Sequence, residues 1–259
     1  MGTVSKALSL LAHFSCDKSE IGLSDLTRLS GMNKATVFRM MSELQQSGFV
    51  EQTGADRSYR LGPQVLRLAA LREAAVPILS VSRQVLRDLS DEVGETCHLS
   101  LVQGMQLNSL SHAYSPRHAT KVMLEDAEVL AFHATASGLA VLAYSNTAFI
   151  DAILTSPLSS HTPDTITQPG KIRAQLDQVR TCGIAESIGG FEAEVHSHAV
   201  PVFGPDCQPI GALAVAAPAS RMTAAQKDLI PQALHRAGAS LTHSTGGMPP
   251  ASYPVFTKT

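Results

Sequence analysis

Along residues 4–15, Val4, Ala7, Leu8, Leu11 and Phe14 recur at helical spacing, which predicts an amphipathic helix. Leu26 and Leu29 mark the inner side of a second, shorter helix, with Ser24 as its expected N-cap and Gly31 as a left-handed stop. Asn33 is placed to cap a third helix that ends by Gly48. In it Val37, Met40, Met41 and Leu44 form one stripe at i, i+3, i+4 and i+7. Ala35, Arg39, Ser42 and Gln46 fall on the other side, flanked by Thr36 and Phe38. The turn between these two helices is so short that they must meet at a sharp angle, the helix-turn-helix arrangement. Residues 49–52 and 58–61 then alternate like two strands around a "TGAD" turn. The pattern predicts a winged helix-turn-helix over 1–62.

Pro63 opens a helix over 63–75, read as a linker, with Leu66, Ala69, Ala70 and Leu71 available for packing. A helix over 76–94 follows, with Val81, Val85, Leu86, Leu89 and Val93 as its inner stripe. From residue 95 the period changes. "ETCHLSLVQG" and "MQLNSLSHAY" read as paired strands, and "EVHSHAVPVFG" and "PIGALAVAAP" as two more around a "PDCQ" turn. Between these pairs lie three helices: "HATASGLAVLAYSN", "FIDAILTSPL" and "PGKIRAQLDQVRTCG", the last stopped by Gly183. A final helix begins after Thr223. Runs of helices around one antiparallel sheet place residues 76–245 in the α+β class. The Gly- and Pro-rich stretch 246–259 is expected to be a disordered tail.

Composition adds limits. At 44% hydrophobic and 16% charged the chain is globular, and Leu, Val, Ala and Met must fill its cores because Trp is absent. The net charge of −2 carries no overall signature of nucleic-acid binding. Its distribution is uneven: nine Lys/Arg against seven Asp/Glu in residues 1–73, eleven against fifteen beyond. Cys16, Cys97, Cys182 and Cys207 form no C-x-x-C pair and read as reduced thiols. With no signal-like N-terminus and no apolar run of membrane-spanning length, the expectation is a soluble cytoplasmic protein with no membrane partner.

Five stretches in order carry a resemblance: "KALSLLAHF"; "LSDLTRLSGMNKATVFRMMSELQQSGFVEQ" followed by "YRLGP"; "GETCHLSLVQG"; "FHATASGLAVLA"; and "VHSHAVPVFGPDCQPIGALAVAAP". Together they resemble the IclR family of bacterial transcriptional regulators over about the first 245 residues. The resemblance implies a winged helix-turn-helix, a linker helix that helps dimerise, and a C-terminal GAF-like effector-binding domain. It implies a homodimer or homotetramer on a palindromic double-stranded DNA operator, a small-molecule effector such as an organic acid, and no cofactor.

On that resemblance the third helix is the recognition helix. Lys34, Ala35 and Thr36 at its N-terminus are candidates for phosphates and base edges. Arg39, one turn on, suits guanine O6 and N7. Phe38 either meets a thymine methyl or packs on the wing. Arg57 and Arg60 are wing candidates for phosphate contact, with a structural ion pair equally open to Arg60. The implied effector residues are Leu130 as apolar wall, Ala136 and Ser137 at a helix N-terminus, Ser187, Ser197, Ala214 and Ala216. Alanines stand at 214 and 216 where relatives with small oxyacid ligands show serines, which implies a roomier or more apolar pocket.

Ten histidines raise the question of metal. His196 and His198 share one face of a strand, opposite to Ser197, and no C-x-x-C or H-E-x-x-H accompanies them. They are expected at a surface or interface, and no metal ligand is assigned. Enzyme signatures such as G-x-S-x-G or a Gly-rich phosphate loop are absent from the sequence, and no catalytic residue is assigned. Glu192 and Glu194 are expected to be exposed. The competing reading is a metabolite-binding module or enzyme whose winged helix serves protein contacts.

Overall fold

A computed structural model describes residues 2–14, 18–54, 57–75, 78–124 and 128–254, with the last three residues of the second helix-rich stretch, 73–75, described by backbone alone. The chain divides into two compact units, 1–77 and 78–259.

The first unit holds α1 (Thr3–Leu11), α2 (Leu23–Ser30), α3 (Lys34–Gln46), the hairpin β1 (Val50–Thr53) and β2 (Ser58–Leu61), and α4 (Pro63–Ala75). Leu10, Leu26, Val37, Met41, Val50 and Tyr59 close its core. Gly31 takes φ 67° at the end of α2, and the Asn33 side chain accepts the Thr36 N–H at 2.8 Å to start α3. The hairpin pairs Val50 with Leu61 and Glu51 with Arg60.

Ser24 is not the N-cap of α2; the helix starts at Leu23, two residues earlier than that cap would place it, with Gly22 as N-cap in an extended conformation without a side-chain bond. The cause lies across the wing. Ile21 and Tyr59 exchange backbone hydrogen bonds at 2.9 and 3.0 Å, which holds the chain extended up to Gly22 and starts the helix at once. The residues of α4 expected to pack, Leu66, Ala69, Ala70 and Leu71, stand exposed among the described residues, Leu66 at 74% and Leu71 at 55%.

The second unit is a six-stranded antiparallel sheet in the order β5-β4-β3-β8-β7-β6. Its strands are β3 (Thr96–Gln103), β4 (Gln106–Ala113), β5 (Val129–Leu130), β6 (Ala185–Ile188), β7 (Val195–Phe203) and β8 (Pro209–Pro218). One face is covered by α5 (Ile78–Val93) and α9 (Ala224–Ser244), with Leu86, Leu89, Leu99, Val215, Ile230 and Leu234 between. The other packs against α6 (Ala136–Tyr144), α7 (Thr147–Thr155) and α8 (Pro169–Cys182). The buried carboxylate of Glu95, just before β3, takes both Nε and Nη2 of Arg221 at 2.7 and 2.6 Å.

Two strands escaped the pattern. β5 is two residues long, and β6 is a four-residue edge strand that turns apolar Ile188 outward and polar Ser187 inward, so its hydrophobicity does not follow its burial. The tail expectation is corrected over residues 246–254. Gly247 N–H binds Thr242 O at 2.8 Å, and Met248 N–H reaches Gly204 O at 3.2 Å. The Tyr253 ring then stacks edge-on with Tyr144 and Phe203, both at 5.2 Å, while its hydroxyl donates to Gly183 O at 3.2 Å. Composition signalled disorder because Gly and Pro dominate, yet one aromatic side chain supplies the anchor. Residues 255–259 lie outside the described residues.

Candidate functional site

The stripe that buries Val37, Met40, Met41 and Leu44 turns the opposite side of α3 outward. Lys34, Ala35 and Arg39 are exposed there, Thr36 is half-buried, and Phe38 is 51% exposed, so the wing does not enclose its ring. Asn33 occupies the Thr36 amide, which leaves the amides of Lys34 and Ala35 as the free helix-start donors. On the wing Arg60 pairs with Glu51 across the hairpin at 2.6 Å, the structural role left open by the sequence. Arg57, at φ 56°, is tied to Gln52 through its own carbonyl at 3.2 Å and its guanidinium at 3.4 Å.

In the second unit a cavity of about 470 Å³, mouth included, opens on the α6 side of the sheet. The first turn of α6 forms one wall. Thr135 caps it by accepting the Gly138 N–H at 3.0 Å, and Ala136 and Ser137 face the cavity. Ser187 on β6, Ser197 on β7 and Ala216 on β8 form the floor, and Leu130 on β5 the apolar side. Ser187 is held by its hydroxyl on Ala134 O at 2.8 Å. Of the seven expected effector residues, six line this cavity. Ala214 does not: it shares the face of Ala216 but sits two residues further along β8, in the apolar core with Leu139 and Ala140.

The sequence reading missed His98, Glu128, Phe191 and Glu192, which also line the cavity. His98 faces inward because β3 pairs it with Ala214 on the central strand β8. Its Nε2 lies 3.1 Å from Ser137 Oγ, while Nδ1 is buried without a hydrogen bond. Burial, and secondarily His112, lowers its pKa to about 4, so the ring is neutral. Glu192 is exposed as expected, yet its carboxyl is held above the usual range by burial at the rim and by the nearby Glu128. Among the described residues of the lining there are two carboxylates and no Lys or Arg.

His196 and His198 point away from the cavity, as alternation around Ser197 requires. They do not reach a surface, however: they are 3% and 5% exposed, because that face of β7 lies under α9.

Comparison with known proteins identifies the two units. The family model for the IclR helix-turn-helix domain matches residues 3–54, and that for the bacterial transcriptional regulator IclR C-terminal matches residues 72–243. The chain belongs to the IclR family. It is therefore an IclR-type DNA-binding transcriptional regulator with a C-terminal effector-binding domain. An HTH-type transcriptional regulator of Escherichia coli, XynR, is 26% identical over 245 residues, covering 94% of this chain and 97% of that one. A crystal structure of an IclR transcriptional regulator from Silicibacter sp. TM1040 is 69% identical, with a TM-score of 0.88 and 98% and 100% of the two chains covered. An IclR homologue from Microbacterium hydrocarbonoxydans, solved with 4-hydroxybenzoate, shares the fold at 22% identity and a TM-score of 0.57, over 94% of this chain and 99% of that one. Among the described residues no helix is long and apolar enough to cross a membrane.

Proposed function

We propose that this regulator binds a palindromic operator as a homodimer or homotetramer, and that its effector is a small zwitterionic metabolite such as an amino acid or a close derivative. The observation that carries the effector class is the polarity of the cavity. At one wall the Ala136 and Ser137 amides begin α6, where a helix favours a carboxylate. At the mouth Glu128 and Glu192 favour an ammonium group, and Phe191 offers a ring face beside them. A plain organic acid, one of the effector classes open from the sequence, satisfies the first wall and is repelled by the second.

For DNA, the reading assigns base contacts to Arg39 and Phe38, phosphate contacts to Lys34, Ala35, Thr36 and Arg57, and a conditional one to Arg60, which must share or leave Glu51. Dimerisation is supported by the exposed leucines of α4. The cavity is read as a sensor and not as a catalytic site. The Ser137–His98 pair resembles the start of a nucleophile–base relay, but His98 Nδ1 has no orienting acceptor and the ring is too weak a base.

The test is a thermal-shift screen of the full chain with paired ligands: α-amino acids, the matching α-hydroxy or α-keto acids, and the matching amines. Stabilisation by amino acids alone supports the reading; a ligand at 100 times its Kd adds about 2.7 kcal/mol. Stabilisation by the plain acids, with the amino acids silent, overturns it. Each hit is then added to operator DNA upstream of the protein's own gene in a binding assay.

A further inference from the structure

On the face of β7 away from the cavity, three side chains converge. Glu186 on β6 stands opposite His198 in the strand register, and His196 is two residues before His198 on the same face. Glu186 Oε1 lies 2.6 Å from His196 Nε2 and 3.4 Å from His198 Nε2, and one donor atom from each of the three residues falls within 4.8 Å of the others. The two imidazoles stack with centroids 4.8 Å apart and planes 19° from parallel. Both rings are buried, and His198 Nδ1 has no hydrogen bond.

A purely structural role accounts poorly for this group. Neighbouring positions on the same face are Val200 and Val215, which bury without cost. Two desolvated imidazoles that share a single carboxylate oxygen through their Nε2 atoms destabilise the same place unless a further group draws on those nitrogens. Two His nitrogens and one carboxylate are a donor set of zinc and the related borderline divalent cations. Tetrahedral ligands at such bond lengths sit about 3.3 Å apart. The contact of 3.4 Å already fits; that of 2.6 Å must open, which Glu186, 49% exposed, can do by swinging, and the two imidazoles, stacked with centroids 4.8 Å apart, must tilt their Nε2 atoms together.

We propose that Glu186, His196 and His198 form a binding site for a zinc-like divalent cation, with its fourth position open to water at the β6 edge. The site is separate from the effector cavity. Alternation sends Ser187 and Ser197 to the cavity and their neighbours Glu186, His196 and His198 to the opposite face. Closure by a metal staples the edge strand β6 to β7. Lys227 on α9 acts electrostatically on His198 from the same side, so its ammonium opposes the bound cation.

The experiment uses the full chain, stripped with a chelator and titrated with zinc against a chromophoric indicator, then with cobalt to read the visible bands of a tetrahedral site. The expected result is one tight equivalent per chain. E186Q and H196N each lose it, while K227M tightens it. E186Q alters a half-exposed side chain and keeps the fold, which circular dichroism of the metal-free protein verifies. Absence of tight zinc binding, or zinc and cobalt binding equal in wild type, E186Q and H196N, overturns the proposal. The second result would place the metal on other groups, such as the exposed thiol of Cys182.

Discussion

His98 Nε2 and Ser137 Oγ lie 3.1 Å apart, joining the central strand β3 to the first turn of α6 at the cavity wall. The ring is buried, and burial lowers its pKa to about 4, which sets a pH window for the fold. Between pH 6.5 and 4 the unfolded chain binds a proton at this residue that the native chain does not. Its contribution is therefore complete above pH 6.5 and is lost as pH falls toward 4, amounting to about 3 kcal/mol. His235, also lowered to about 4 by burial, acts in the same direction. Urea unfolding of the full chain across pH 4–7 should show this decline. H98Q, whatever its own stability, should lose about one proton, or about 1.4 kcal/mol per pH unit, from the slope. An unchanged slope in H98Q would show that His98 is not held neutral.

Gly138 sits in the same turn, one residue after Ser137. A Cβ there would fall inside 3.0 Å of the Phe132 backbone, including its carbonyl. Backbone cannot step aside as a side-chain tip can, so G138A forces α6 off the segment that leads into it. The expected cost is about 2 kcal/mol or more, read as a fall in the unfolding midpoint. Because α6 forms the cavity wall, any effector-induced thermal shift should fall with it. A variant of unchanged stability would mean that α6 has room to move.

The helix-turn-helix unit was legible where its devices are local, and the start of α2, set by the distant Ile21–Tyr59 pair, was the part that was not. The stripe of α3, the Asn33 cap, the Gly31 stop and the Glu51–Arg60 hairpin are each written within a dozen residues. The cavity was legible by position only in part. Its Ser137, Ser187 and Ser197 came from the resemblance, whereas His98, Glu128 and Glu192 depend on strand order. His98 is a cavity residue because β3 lies beside β8, where its partner Ala214 is 116 residues away in sequence and invisible to periodicity. Ala214 failed for the mirror reason: face was predictable from alternation, but depth along the strand was not. β6 was hidden by its position at the sheet edge, and with it the convergence of Glu186 on two histidines.

The exposed leucines of α4 predict the assembly. Leu66 and Leu71, at 74% and 55% exposure, contribute nothing to the core of their own chain. Substituting both by Lys should change the intrinsic unfolding free energy of the chain by no more than about 0.5 kcal/mol, since surface positions seldom matter more. The same change should dissociate the oligomer in sedimentation velocity, because a charged pair replaces apolar surface at the contact. Retention of the wild-type sedimentation coefficient by L66K/L71K would place the dimer contact elsewhere.

Arg39 and Arg60 should separate two modes of DNA contact. Arg39 lies exposed on the outward side of α3, where a guanidinium can donate two hydrogen bonds to O6 and N7 of one guanine. R39A should cost about 1–3 kcal/mol on the operator and little on random DNA, so that the discrimination at one base pair is lost. Arg60 is held by Glu51 at 2.6 Å, and its charge is partly neutralised before DNA arrives. R60A should therefore weaken operator and random DNA alike and only slightly. E51Q, which releases Arg60, should do the reverse: it should strengthen both and make binding more salt-dependent, with about one more counterion released per chain. Binding isotherms of the three variants at several salt concentrations distinguish these outcomes. If R39A weakened both DNAs equally, Arg39 would be a phosphate contact, and base reading would pass to the residues at the start of α3.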